Sequence, residues 1–105
     1  MAFTRDVLAI GKLPSTTGDL YAPVGSIGLI HLIKLLNTHT GNVDVVLYYD
    51  NGTEYETDRF TLKSGEAIYL EYSGEGDVVL DGEKITGDAS VADVVVYKFC
   101  GSYET

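Results

Sequence analysis

Glycine-centred turns cut this chain into pieces of strand length. Thr40-Gly41-Asn42, Asn51-Gly52, Ser64-Gly65, Ser73-Gly74-Glu75-Gly76 and Asp81-Gly82 separate the runs Val43–Tyr49, Thr53–Phe60, Glu66–Tyr72, Asp77–Leu80 and Glu83–Thr86. A last run covers Asp93–Cys100. The runs are rich in Val, Ile, Thr and Tyr, residues that fit a pleated, half-buried surface. They also alternate. Val43, Val45, Leu47 and Tyr49 share one face, with Asp44, Val46, Tyr48 and Asp50 on the other. Ile68, Leu70 and Tyr72 repeat the pattern against Tyr69 and Glu71. Strands of this length with turns every eight to twelve residues or so predict an all-β fold, an antiparallel β-sandwich, jelly-roll-like, with about eight short strands.

Asn51-Gly52 and Asp81-Gly82 read as type I′ hairpin turns, because that turn needs positive φ at both central positions and Asn-Gly and Asp-Gly supply it. Ile27–Leu36 is harder to read. Gly28, His31 and Lys34 recur at every third position, which suits a short amphipathic helix. No acid sits at its start to favour a helix dipole, and apolar residues on both faces suit a central strand covered on two sides. A strand with a bulge near Gly28 is therefore predicted.

A chain of 105 residues makes one domain. Residues 26–105 are expected to form the sandwich. Residues 1–25 are a first strand pair or an arm that packs on a neighbour. Their apolar residues are scattered, and Phe3, Leu8, Ile10, Leu13, Leu20 and Tyr21 are candidate interface residues. The start of the chain lacks the basic, apolar and small-residue segments of a signal peptide. Ile27–Leu36 is too short and too interrupted to span a bilayer.

Sixteen acids against seven bases give a net charge of −9. Nucleic acid is bound by Lys and Arg that neutralise phosphates, and anionic lipid surfaces recruit the same residues. Neither is an expected partner.

Catalytic chemistry is hard to build from these residues. His31 lies in the apolar run and reads as an edge-of-core or interface residue, and His39 as a solvated turn residue. Neither has a second His or Cys at zinc-ligand spacing. Cys100, the single cysteine, reads as an inert small hydrophobe in a buried strand. The acids around Asp50–Asp58 and Glu71–Glu83 match no calcium loop, and alternating acids on a strand are its wet face. No cofactor, metal or catalytic residue is assigned. Tyr48, Tyr49, Tyr55, Tyr69 and Tyr72 fall on successive strands of one expected meander. Exposed tyrosines serve protein contacts or stack on sugars, which makes Tyr48 and Tyr69 candidate interface residues and a carbohydrate-binding module an alternative.

From Ile30 onward the order of motifs resembles small tailed-bacteriophage virion proteins. The apolar strand ends in Asn37-Thr38. Leu62-Lys63-Ser64-Gly65-Glu66, Leu80-Asp81-Gly82-Glu83-Lys84-Ile85 and the closing valine-rich strand capped by Gly101 follow. Gly82-Glu83 stands where such proteins usually carry Gly-Asp, and residues 1–25 match none of their patterns. The resemblance implies a non-enzymatic β-sandwich subunit made in the bacterial host cytoplasm and placed in the virion. It would cement or decorate the shell by protein–protein contacts with the major capsid protein, with a homotrimer favoured. A neck, tail or fibre subunit is the alternative placement.

Overall fold

The computed structural model describes residues 3–74 and 76–104, with side chains from residue 6 onward. The elements are β1 (Phe3–Lys12), β2 (Gly18–Tyr21), β3 (Ile27–Asn37), β4 (Val43–Asp50), β5 (Glu54–Leu62), β6 (Ala67–Glu71), β7 (Asp77–Val79), β8 (Lys84–Ala89) and β9 (Val95–Glu104). Among the described residues there is no helix. Two antiparallel sheets result. Sheet A has the order β1-β9-β3-β6, with β7 continuing β6 along β3, and sheet B has the order β2-β8-β4-β5. This is the strand order of a jelly roll, a Greek-key double sheet.

The chain changes sheet at most of its turns, and this corrects the expected meander. Among the described residues only β4 and β5 form a hairpin between consecutive paired strands. Its loop is three residues, Asn51 to Thr53, between the paired Asp50 and Glu54. Gly52 has positive φ and Asn51 does not, so the turn is not type I′. Asp81-Gly82 makes no hairpin at all. Glu83 donates its amide to the Leu80 carbonyl across a β-turn with positive φ at Gly82 alone, the type II pattern. That turn carries the chain from β7 in sheet A to β8 in sheet B. Lys63–Glu66 makes the same crossing from β5 to β6.

Residues 3–12 and 18–21 supply one strand to each sheet, β1 on β9 and β2 on β8. Ile27–Leu36 is a strand, running on to Asn37. Its bulge falls at His31, not at Gly28, because the extra residue lies between the Ile30–Gly101 and Leu32–Cys100 pairs. A side chain at Gly101 would overlap the Leu29 carbonyl, so the backbones close up here only around glycine.

The core lies between the sheets. Leu13, Ile30, Leu35, Val43, Val45, Leu47, Leu62, Val79, Val95 and Phe99 are almost wholly buried. Tyr97 meets Phe99 edge-on at 5.6 Å, a favoured aromatic geometry. Each such aliphatic side chain contributes about 1.5–3 kcal/mol through burial.

Asn37 ties the corners of this sandwich together. It is fully buried at the end of β3. Its side-chain Nδ2 donates to the carbonyls of Gly41 at 2.9 Å, Leu62 at 3.1 Å and Lys63 at 3.1 Å. Its Oδ1 accepts the His39 amide at 2.8 Å. Its main chain exchanges hydrogen bonds with Gly65 and Glu66. One residue thus satisfies the β3–β4 and β5–β6 crossings at once. Replacing it orphans several of these groups, each costing about 1–3 kcal/mol when buried. Asn37→Ala should therefore lower unfolding free energy by about 2–4 kcal/mol, read as a lower urea midpoint at unchanged slope.

Candidate interaction faces

The strand pattern that builds the core also fixes what each sheet shows outward. In sheet A, β3 points Ile30, Ile33, Leu35 and Asn37 inward, and the His31 bulge leaves His31, Leu32, Lys34 and Leu36 outward. The sequence led to a strand covered on both sides. This chain covers only the inner side. Leu29, Leu32 and Leu36 are half-buried by their neighbours, and Val7, Ile10, Tyr69 and Val78 are exposed around them.

The register lines these residues into cross-strand rows. One row reads Ile10, Lys98, Lys34, Tyr69, and the next Lys12, Val96, Leu36, Ala67. Lys34 Nζ sits 5.7 Å from the Tyr69 ring centre, a cation–π contact. Ile10, Lys34, Leu36, Val96 and Lys98 line a shallow depression of about 170 Å³. Lys34 and Lys98 are direct cross-strand partners, an arrangement of like charges that costs stability in an isolated sheet. The acids of this face, Glu71 and Glu104, belong to other rows, opposite Leu32 and Ile27.

Sheet B has the opposite character. Its outer face carries Asp44, Asp50, Glu54, Glu56, Asp88 and Asp19. Its two bases are already engaged, Lys84 with Asp19 at 2.8 Å and Arg59 with Glu56 at 2.7 Å. The other carboxylates accept from neutral donors. Thr61 Oγ1 donates to Asp44 at 2.7 Å, Thr86 Oγ1 to Glu54 at 2.9 Å, and the Tyr48 hydroxyl to Asp88 at 3.2 Å.

The candidate interface residues separate on this framework. Ile10 and Tyr69 stand exposed on sheet A at 65% and 56%. Leu8 occupies the β1 bulge between Val7 and Ala9 and rests half-buried against the core. Leu13, Leu20 and Tyr21 are core residues and leave the candidate surface, because β1 and β2 are sandwich strands with an inward face. Phe3 begins β1 with its side chain outside those described. Tyr48 lies half-buried on the outer face of sheet B, held by Asp88. Tyr48 and Tyr69 thus face opposite ways on different sheets and form no single sugar-stacking platform, while Tyr49 and Tyr72 turn inward against the core. Sequence reasoning passed over Lys34 and Lys98. Their shared row depends on a β3–β9 register between residues 64 positions apart, which no local signal carries.

The one place that gathers reactive side chains is the bulge. Asp6, His31, Cys100 and Gly101 line a depression of about 330 Å³ there. Cys100 is half-exposed, not buried as the sequence implied, because β9 alternates it outward after Phe99. The imidazole Nε2 of His31 lies 3.4 Å from Ser102 Oγ. Among the described residues no group of three His, Cys, Asp or Glu side chains is placed to hold a metal ion.

No protein-family model matches the sequence, and no curated protein matches it. The chain is similar to one from the extra small virus virus-like particle of the giant freshwater prawn Macrobrachium rosenbergii. That match has a TM-score of 0.50 and 14% identity, over 98% of this chain and 79% of that one. It also matches PirA at a TM-score of 0.47 and 10% identity, over 94% and 91% of the two chains. Infectious bursal disease virus, Gt strain, contributes a chain matched at 0.38 and 10% identity, over 97% of this chain and 30% of that one. The fold and the outer faces together define a small two-sheet jelly roll with one apolar, lysine-bearing face and one acidic face.

Two titration predictions follow from buried groups at the sandwich edge. Burial, then the Asp58 carboxylate, raises the pKa of Asp77. An acid raised in the folded state weakens folding above that pKa, and the penalty fades as pH falls through it. Asp77→Asn should therefore stabilise the protein at neutral pH and lose its advantage near the unfolded carboxyl pKa, measured by urea unfolding across pH. Burial pushes Tyr49 up to about 12, helped by its hydrogen bond to Glu83. Burial, with Asp58 and Asp77, does the same for Tyr72. Stability from these phenols is complete below the ordinary tyrosine value of 10.0 and is lost as pH rises from there toward about 12. Ultraviolet titration should show Tyr49 and Tyr72 ionising only as pH approaches about 12, with unfolding over the same range.

Proposed function

We infer that this protein is a non-enzymatic structural subunit of a viral particle, working by surface burial. The observation that carries the reading is the outer face of sheet A, which one chain leaves uncovered although its central strand is apolar on both sides. Exposed apolar area of this kind marks a protein contact. The jelly-roll strand order supports the assignment, since a chain of the prawn virus-like particle has the same fold over 98% of this chain and 79% of its own length. The motif order resembling tailed-phage virion proteins supports a finer reading. The chain is a cement or decoration subunit on the capsid exterior, docked on the major capsid protein, with a trimer as the favoured oligomer. Its acidic sheet B suits basic patches on a shell, so docking is weakened by salt. A stable contact of this type buries about 800 Å² per partner.

Mass-spectrometric counting in purified particles tests the reading. A cement subunit is present at a copy number comparable to the shell protein and is released as ionic strength rises. A single ring's worth of copies moves the subunit to the neck or tail, and absence from purified particles overturns the structural role.

A further inference from the structure

Sheet A has a lysine-bearing, partly apolar outer face, and sheet B has a carboxylate-bearing one. On sheet A, Lys34 and Lys98 are adjacent cross-strand partners over an apolar depression, with Lys12 in the next row. The only ion pairs among the described residues are Arg59–Glu56 and Lys84–Asp19, both on sheet B. On sheet B, Asp44, Asp50, Glu54 and Asp88 accept hydrogen bonds from neutral donors only. Sheet A thus offers lysines without a carboxylate partner, and sheet B offers carboxylates without a cationic one.

We propose that the outer face of sheet A docks the acidic outer face of sheet B from a second copy of this chain, with Lys34 and Lys98 set against the face that carries Asp44, Glu54 and Asp88. The like-charged Lys34–Lys98 pair favours an anionic occupant, because a carboxylate between the ammonium groups converts a repulsive pair into an attractive triad. The contact joins two different patches, so it is heterologous. It cannot close between two copies; it makes a ring where the rotation closes and an open stack where it does not. The inference rests on the reading of sheet A as a docking face. It concerns the chain's contact with itself, while particle copy number tests the assignment to a virion.

Sedimentation velocity on the full chain tests it, with Lys34→Glu/Lys98→Glu and Asp44→Lys/Glu54→Lys/Asp88→Lys as variants and circular dichroism to confirm the β-sheet fold of each. The wild type should associate beyond a dimer and dissociate as salt rises from roughly 0.05 M to roughly 0.5 M. Either variant alone should associate about a hundredfold more weakly. An equimolar mixture of the two should regain association beyond a dimer, because the lysine face intact in one meets the acidic face intact in the other and the reversed faces are again complementary in charge. If the acidic-face variant misfolds, the milder Asp88→Asn/Glu54→Gln takes its place and should weaken association without the rescue arm. A wild type that is monomeric at low salt overturns the proposal. So does a folded Lys34→Glu/Lys98→Glu variant that associates like wild type, or a mixture of folded variants that stays monomeric. A monomer that still appears in high copy on particles would leave the virion role standing and assign the sheet A face to another shell protein.

Discussion

Two sheets can share one core only if the chain keeps crossing between them, and each crossing takes backbone groups away from their ladders. Those groups need partners where they are buried. In this protein one asparagine answers for two crossings. Asn37 carries both a donor and an acceptor on a short side chain, and the junction of β3, β4, β5 and β6 asks for both. An aspartate there would offer only acceptors, and an apolar residue neither. With the corners satisfied, β5 and β6 are free to lie in opposite sheets while remaining neighbours in sequence.

That arrangement explains the outward chemistry. Because β4 and β5 stay together in sheet B, Asp44, Asp50, Glu54 and Glu56 of their hairpin share one face with Asp88 of β8. Because β3 and β9 pair in sheet A, their lysines fall side by side. The separation of charge is a product of topology, since neither run of sequence is itself a basic or acidic patch. A chain with net charge −9 still presents one face suited to anions.

The His31 bulge has a mechanical role in the same design. It switches the phase of β3 so that Ile30 and Ile33 both point inward although they are three residues apart. Gly101 permits the close approach opposite it. Beyond the bulge β6 gives way to β7, and the sheet continues along β3 with a fresh strand. The depression over Asp6, His31 and Cys100 follows from this irregularity.

The sequence by itself determined the fold class and the strands from Ile27 onward. Alternation in Val43–Tyr49 and Ile68–Tyr72 is a local property, and a period of two survives in any sandwich. The glycine turns were equally legible as breaks, but not as connections. Asp81-Gly82 says only that the chain reverses; whether the next strand pairs with the last or crosses to the other sheet is decided by which face must be buried. For the same reason Leu13, Leu20 and Tyr21 could not be told from interface residues until β1 and β2 found their sheets. The rows that join Ile10, Lys98, Lys34 and Tyr69 were decided only by tertiary structure, since pairing across long loops sets register and register sets what each outer face displays.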